Sequence, residues 1–178
     1  METIARTEAP AGLFVAGRPT LLFFYRGRWC PFCNTYLDEM LKQQTQLLAI
    51  ADVRVISSEP MPTPTDLGLS SIPRFVYMAD PKLELIDWFG IRHAAAGPAG
   101  RDITKPALAI LDDQGHVAWS YVGAFPMDRP PIAAVLEELQ RIAGLRTEGH
   151  QKAPLERLRA SGSLLVRGLA RAISRRGA

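Results

Sequence analysis

Residues 20–25, TLLFFY, form an unbroken run with no polar alternation, closed by Arg26-Gly27. Such a run reads as a central strand buried on both faces, and that demands covering layers above and below it. Immediately after it come Cys30-Pro31 and then apolar residues at Phe32, Tyr36, Leu37, Met40, Leu41, Leu47 and Leu48. This is helical spacing running to Ile50, with Pro31 suited to the first turn. Residues 52–57, DVRVIS, alternate polar and apolar with β-branched Val53, Val55 and Ile56, and predict a second strand. Strand, helix and strand in succession imply a parallel pair and an α/β fold with a central sheet flanked by helices.

Farther along, Pro60, Pro62 and Pro64 exclude a continuous helix or a central strand, and the stretch reads as a loop. Residues 75–78 predict a short strand, 81–89 a helix capped by Asp80, and 93–102 (HAAAGPAGRD) a flexible loop rich in Gly and Ala. Two apolar runs, 107–111 and 117–122, flank Asp112-Asp113-Gln114-Gly115 and so predict a hairpin, with His116 an unremarkable start to its second strand. A last helix follows, capped by Asp128, with Pro130 and Pro131 in its first turn. Its apolar stripe is Ile132, Val135, Leu136, Leu139 and Ile142, and Gly144 stops it.

At 178 residues, 47% apolar and 22% charged, the chain can bury a core without covalent staples. No apolar run approaches the length of a membrane span, and METIARTEAP lacks the apolar core of a secretory signal, so a cytoplasmic, reducing location is the expectation. The net charge of +3 divides unevenly. Residues 1–144 hold 13 Lys+Arg against 16 Asp+Glu, whereas residues 145–178 hold 8 against 2. A main domain over 1–144 and a basic C-terminal tail over 145–178, an amphipathic helix or partly disordered, follow. In the tail, Leu155, Leu158, Leu165, Val166, Leu169 and Ile173 fall on one side of a helical wheel and Arg157, Arg167, Arg171 and Arg175 opposite. Such a helix packs on its own acidic domain, or contacts an anionic membrane surface or an acidic partner. It lacks the interleaved aromatics that stack bases, which weighs against nucleic acid.

Both cysteines sit in one motif, Trp29-Cys30-Pro31-Phe32-Cys33, where the buried strand turns into the helix. A thiol at a helix N-terminus faces unpaired N–H groups and the positive end of the macrodipole, which stabilise its thiolate. Cys30 is therefore the expected nucleophile, and Cys33, one turn along, the residue that resolves a mixed disulfide held on it. Arg26 and Arg28 add positive potential, and Trp29 contributes surface around the thiols. Zinc needs about four ligands, and beyond the two cysteines only His93, His116 and His150 remain, at no ligand spacing. No metal or cofactor is expected beyond the redox-active Cys30/Cys33 pair.

The segment Leu22-Phe23-Phe24-Tyr25-Arg26-Gly27-Arg28-Trp29-Cys30-Pro31-Phe32-Cys33 resembles the signature of thioredoxin-fold proteins in the alkyl hydroperoxide reductase/thiol-specific antioxidant group, in the peroxiredoxin-like branch with an RGxWCPFC motif. Lys105-Pro106 with the strand ALAIL and the DDQG turn is similar to that group's strand and hairpin after a cis-proline. Val76 to Pro81, followed by Trp88-Phe89-Gly90-Ile91, is similar to its strand, Asp-Pro turn and short helix. The resemblance covers about residues 19–144. It implies a thioredoxin-like mixed sheet, a cis-proline at Pro106 beside the thiols, and a substrate surface made of Trp29, Pro31, Phe32, Thr104, Lys105 and Pro106.

The departures bear on the reaction. True peroxiredoxins resemble one another in a Pro-xxx-Thr/Ser-xx-Cys motif, and counting back from Cys30 those places hold Phe23 and Gly27. Thioredoxins resemble one another in a buried Asp six residues before the first cysteine, which here is Phe24, and Asp38 or Glu39 is a candidate to deprotonate Cys33 in its place. The first reading is a thiol-disulfide oxidoreductase acting on protein or small-molecule disulfides, with a thiol or reductase as electron donor. Two alternatives stand beside it: a peroxiredoxin-like thiol peroxidase reducing hydroperoxides, and a redox-sensing module whose tail grips a membrane or partner.

Overall fold

The computed structural model describes residues 9–10, 12–59 and 75–145. The proline-rich stretch beginning at Pro60 and the basic tail beyond Leu145 lie outside the described residues. Thr20–Phe24 (β1) is fully buried and central, as its unbroken apolar run requires. It pairs in parallel with Asp52–Ser57 (β2), which pairs in parallel with Val76–Ala79 (β3). On its other side β1 runs antiparallel to Ala107–Leu111 (β6), which forms a hairpin with Val117–Val122 (β7). The order is β3-β2-β1-β6-β7, a mixed five-stranded sheet. Among the described residues no helix is long and apolar enough to cross a membrane.

Alternation along β1 divides the core in two. Leu21, Phe23 and Tyr25 point to one face, covered by helices Pro31–Lys42 (α1), Gln44–Ile50 (α2) and Ile132–Ile142 (α4). Leu22 and Phe24 point to the other, covered by the short helix Glu84–Trp88 (α3) and the N-terminal segment through Leu13. Both cysteines belong to the first face.

Four local expectations differ from the structure, each for a physical reason. The helix after Cys30 breaks at Gln43, whose N–H bonds to the carbonyls of Glu39 and Met40. The polar run 42–46 has no apolar side chain to bury, and the chain turns there to bring Leu47 back into the core. The helix expected over 81–89 shortens to α3 because Leu83 adopts a left-handed conformation at its N-cap. Asp80 still serves as its cap from farther back, its Oδ2 accepting the Ile86 N–H at 2.9 Å. The stretch 93–102 is not a free loop: Arg92–His93 (β4) and Ile103–Thr104 (β5) form an antiparallel pair around a 3-10 turn at Pro98–Gly100. Arg92 fastens it by donating to Asp87 at 2.6 Å and to Asp102 at 2.8 Å. Finally, Asp128 does not cap α4, which begins at Ile132 behind Pro131. Its carboxylate instead accepts the Tyr121 hydroxyl and the Ala124 N–H, closing the β7–α4 connection.

Asp80 is buried and its carboxylate serves the first turn of α3. Replacing it with Ala removes that acceptor, and the expected loss is about 0.5–2 kcal/mol, read as a lower urea midpoint with an unchanged slope.

Candidate active site

The backbone between β1 and α1 makes one tight turn, in which the Cys30 N–H donates to the Gly27 carbonyl at 3.0 Å. Cys30 then stands in extended conformation as the N-cap of α1, with Pro31 at the first helical position and the Asn34 N–H closing the first turn on the Cys30 carbonyl. Asn34 locks this entry from its side chain, donating to the Arg28 carbonyl at 2.9 Å and accepting the Tyr25 hydroxyl. The strand-to-helix junction read from the sequence is thus a rigid corner with a thiol at its apex.

Gly27 is required at this corner. Its φ of 137° is a left-handed conformation, and a Cβ there would meet the Trp29 indole nitrogen and lie 2.6 Å from Glu59 Oε2. Glu59 ties the corner to its surroundings by accepting from the Arg28 N–H at 3.1 Å and from Arg101 at 3.2 Å. The place of the peroxiredoxin hydroxyl is therefore filled by a glycine that a Thr cannot replace without moving Trp29 or Glu59.

Cys30 and Cys33 are both free thiols and both buried, at 1% and 0% exposure. Their environments push them apart. A hydrogen bond from the Cys33 thiol lowers the Cys30 pKa from 9.0 to about 6, against the effect of burial; the Cys33 N–H, the Arg26 charge and then the Arg129 charge act in the same direction. Cys33 is raised well above its ordinary value, first by burial and then by its hydrogen bond to Cys30 and the charge Cys30 carries, with Arg129 opposing. One thiolate shared unequally between two sulfurs is the outcome. Cys30 holds the charge and Cys33 holds the proton.

Of the two arginines read as thiolate-stabilising, Arg26 is buried, stacks its guanidinium 5.3 Å from the Trp29 ring centroid and reaches the Ala96 carbonyl at 3.5 Å. Arg28 is exposed and contributes to the corner through its backbone N–H and carbonyl. The second cation at the dithiol is one that the sequence reading missed. Arg129, 2% exposed, points Nη2 at Cys33 Sγ across 3.6 Å and lies over the rings of Phe23 and Tyr36. Its only local signal was a lone Arg between a turn-forming Asp and two prolines. Neither Arg26 nor Arg129 has a carboxylate partner among the described residues, and the Nε of each is buried without a hydrogen bond.

The remaining expected site residues divide. Trp29 is 37% exposed at the mouth, while Pro31 and Phe32 are half-buried on the first turn of α1. Thr104 is fully buried and its hydroxyl donates to the Lys105 carbonyl at 2.8 Å; Lys105 is half-buried. Pro106 is not a cis-proline, since no cis peptide bond occurs among the described residues. It enters β6 with its carbonyl accepting the Gly123 N–H at 2.7 Å, an ordinary trans position for a proline at the start of a strand. Phe24, at the place of the thioredoxin Asp, faces the opposite core; the residues on the cysteine side are Leu21 and Phe23 of β1 and Tyr25 just beyond it. Asp38 and Glu39 are half-buried on α1, and neither is among the groups that act on Cys33.

The sequence matches the AhpC/TSA family over residues 11–120. The chain belongs to the AhpC/TSA family. Its fold is the thioredoxin-like fold of peroxiredoxins, and it is an oxidoreductase that works through thiols. No curated protein matches the chain by sequence. Among solved structures, a cysteine-to-serine mutant of peroxiredoxin 6 from Arenicola marina matches with a TM-score of 0.66 at 13% identity, covering 78% of this chain and 68% of that one. Reduced Prx3 of Vibrio vulnificus in complex with hydrogen peroxide matches with a TM-score of 0.61 at 19% identity, covering 77% and 97%. AhpC of Enterococcus faecalis matches with a TM-score of 0.59 at 20% identity, covering 79% and 83%. These likenesses establish the shared fold.

The largest cause acting on Cys30 is the Cys33 hydrogen bond, and this is directly testable. In the reduced protein, thiolate absorbance rises with a midpoint near pH 6, and Cys33→Ala moves that midpoint upward toward the ordinary thiol range. An unmoved midpoint assigns the lowering to the arginines instead.

Proposed function

We propose that this AhpC/TSA protein is a two-cysteine thiol peroxidase in which Cys30 attacks a small hydroperoxide and Cys33 closes a disulfide on it. The observation that carries the reading is the buried, hydrogen-bonded Cys30 thiol with its pKa lowered to about 6 and Arg26 beside it. A thiol this enclosed admits a small oxidant more readily than the disulfide of a folded protein. The Cys30 thiolate displaces alkoxide from the outer peroxide oxygen; the O–O bond breaks, the alkoxide takes a proton to leave as alcohol, and Cys30 becomes a sulfenic acid. Arg26 supports the charge on the departing oxygen. Cys33, as thiolate, then attacks Cys30 Sγ, and hydroxide leaves as water with the disulfide formed. Two electrons from an external thiol or dithiol protein return the pair to the reduced state. The cycle requires no metal or organic cofactor, and it suits a reducing, cytoplasmic setting.

Family membership supports the peroxidase, as does the likeness in fold to a peroxiredoxin carrying hydrogen peroxide. A second reading, thiol-disulfide exchange on a small disulfide, is favoured by one observation: Gly27 offers no hydroxyl where peroxiredoxins place one to hold the peroxide. The two readings share Cys30 and Cys33 and differ in the oxidant.

Trp29, stacked on Arg26 beside the thiols, is the natural reporter. Stopped-flow tryptophan fluorescence of the reduced protein is expected to show oxidation by hydrogen peroxide far faster than that of a free thiol, with the rate rising through about pH 6 as Cys30 ionises. Cys30→Ser abolishes turnover, and Cys33→Ser stops at the sulfenic acid or a mixed disulfide. Slow reaction with peroxide beside fast reaction with a disulfide replaces the peroxidase with the exchange reading, and equal activity in both variants overturns the roles assigned to the two cysteines.

A further inference from the structure

In the resting protein Cys33 is the sulfur that holds the proton, yet either reading above requires it to become a thiolate, buried and away from water. Among the described residues no carboxylate acts on it. Among the described residues, the groups acting on it are Cys30 from the N-cap of α1, Arg129 from the β7–α4 connection and a backbone hydrogen bond from Arg26, and Tyr36 of α1 lies under the Arg129 guanidinium. Tyr36 is a fixed neutral partner, its hydroxyl committed to the Pro130 carbonyl at 3.0 Å and held protonated by burial. Among the described residues, the one buried cation in contact with the Cys33 sulfur is Arg129.

The surrounding chain holds Arg129 in that position. Asp128 closes the preceding turn through Ala124 and Tyr121, so its carboxylate is committed to the turn. Gly123 allows the turn to close, since a Cβ there would collide with the Asp128 carbonyl. Pro130, anchored by Tyr36, and Pro131 then direct the chain into α4. The guanidinium is left with one carbonyl at 3.3 Å, two aromatic faces and the Cys33 sulfur. A buried cation without an anion is expensive unless an anion forms beside it during function.

We propose that Arg129 is a catalytic residue that stabilises the Cys33 thiolate, so that Cys33 becomes reactive only after Cys30 has been consumed. While Cys30 carries the charge, its hydrogen bond and its field both hold the proton on Cys33. Once Cys30 has formed a sulfenic acid or a mixed disulfide, both effects vanish, and the Arg129 charge remains to favour loss of the proton to solvent. The Cys33 thiolate then attacks Cys30 Sγ, forming the S–S bond and expelling hydroxide or the substrate thiolate. In the return half, an external thiolate attacks Cys30 Sγ, and the electron pair of the broken bond falls on Cys33 beside the same guanidinium.

This inference rests on Cys30 as nucleophile and Cys33 as resolving thiol, and the test separates the two. Mixing the reduced full-length protein with 4,4′-dithiodipyridine releases one thiopyridone when Cys30 forms the mixed disulfide and a second when Cys33 resolves it. Arg129→Met is expected to slow the second release by about tenfold or more at neutral pH, with the loss recovered in alkali, because a charge within reach shifts a thiol by at least one pH unit. The first release, farther from Arg129, slows less. Arg129→Lys keeps the charge and restores most of the second phase, and Arg129→Gln gives the same readout as Met should the Met variant not fold. A second phase unchanged in the uncharged variants, or slowed equally at every pH, overturns the role of Arg129. A first phase that survives in Cys30→Ser overturns the assignment of the cysteines instead.

Discussion

The hydrogen bond from Cys33 to Cys30 is the interaction on which the rest of this site depends. It lets a thiolate exist inside an apolar cluster, where an isolated charge is heavily penalised. Its geometry comes from the β1–α1 corner: Gly27 accepts the Cys30 N–H and α1 starts at Pro31 with Asn34 clamped to Arg28, so that both sulfurs share one turn. The corner cannot relax without changing the ionisation, and the ionisation is what distinguishes this pair from two inert buried thiols.

Around that thiolate stand two buried guanidiniums rather than a carboxylate pair or a hydroxyl. Arg26 follows the central strand β1 and Arg129 follows the edge strand β7, and each presents an Nε with no hydrogen-bond partner. Aromatic faces compensate them in part, Trp29 for Arg26 and Phe23 with Tyr36 for Arg129. Arg18 and Arg54 also carry a buried Nε without a partner. What sets Arg26 and Arg129 apart is that their charges act on Cys30.

Strand positions were legible because burial on a sheet leaves a local trace. The patterns at 52–57, 107–111 and 117–122 mark β2, β6 and β7, and the buried run at residue 20 marks β1. The junction of that strand with Cys30-Pro31 was legible for the same reason, and with it the location of the dithiol. Features that depend on a distant partner left no such trace. The clamp of Arg92 on Asp87 and Asp102 orders a segment whose composition reads as loop, and Asp128 serves Tyr121 instead of the helix it precedes. Arg129 is the sharpest case: arginine is a surface residue by habit, and only the packing of the β7–α4 connection over α1 buries it against Cys33. Pro106 illustrates the converse, since the resemblance suggested a cis bond and the strand it enters takes the trans form that unaided X-Pro bonds prefer.

The excess of positive charge also bears on which redox state the fold favours. In the dithiol state that the structure describes, the Arg26 and Arg129 charges both favour a thiolate at Cys30, and on the proposed cycle closing the disulfide removes that thiolate from beside them. A fold that stabilises its reduced form in this way makes its disulfide easier to open, because thiolate stability in the reduced state raises the reduction potential of the pair. On the proposed cycle, a readily opened disulfide is one that an external thiol returns to the dithiol, restoring the Cys30 thiolate. On the proposed cycle the same two arginines bear on both halves: they add to the Cys33 hydrogen bond that chiefly lowers Cys30, and they favour the reduced state to which the pair returns.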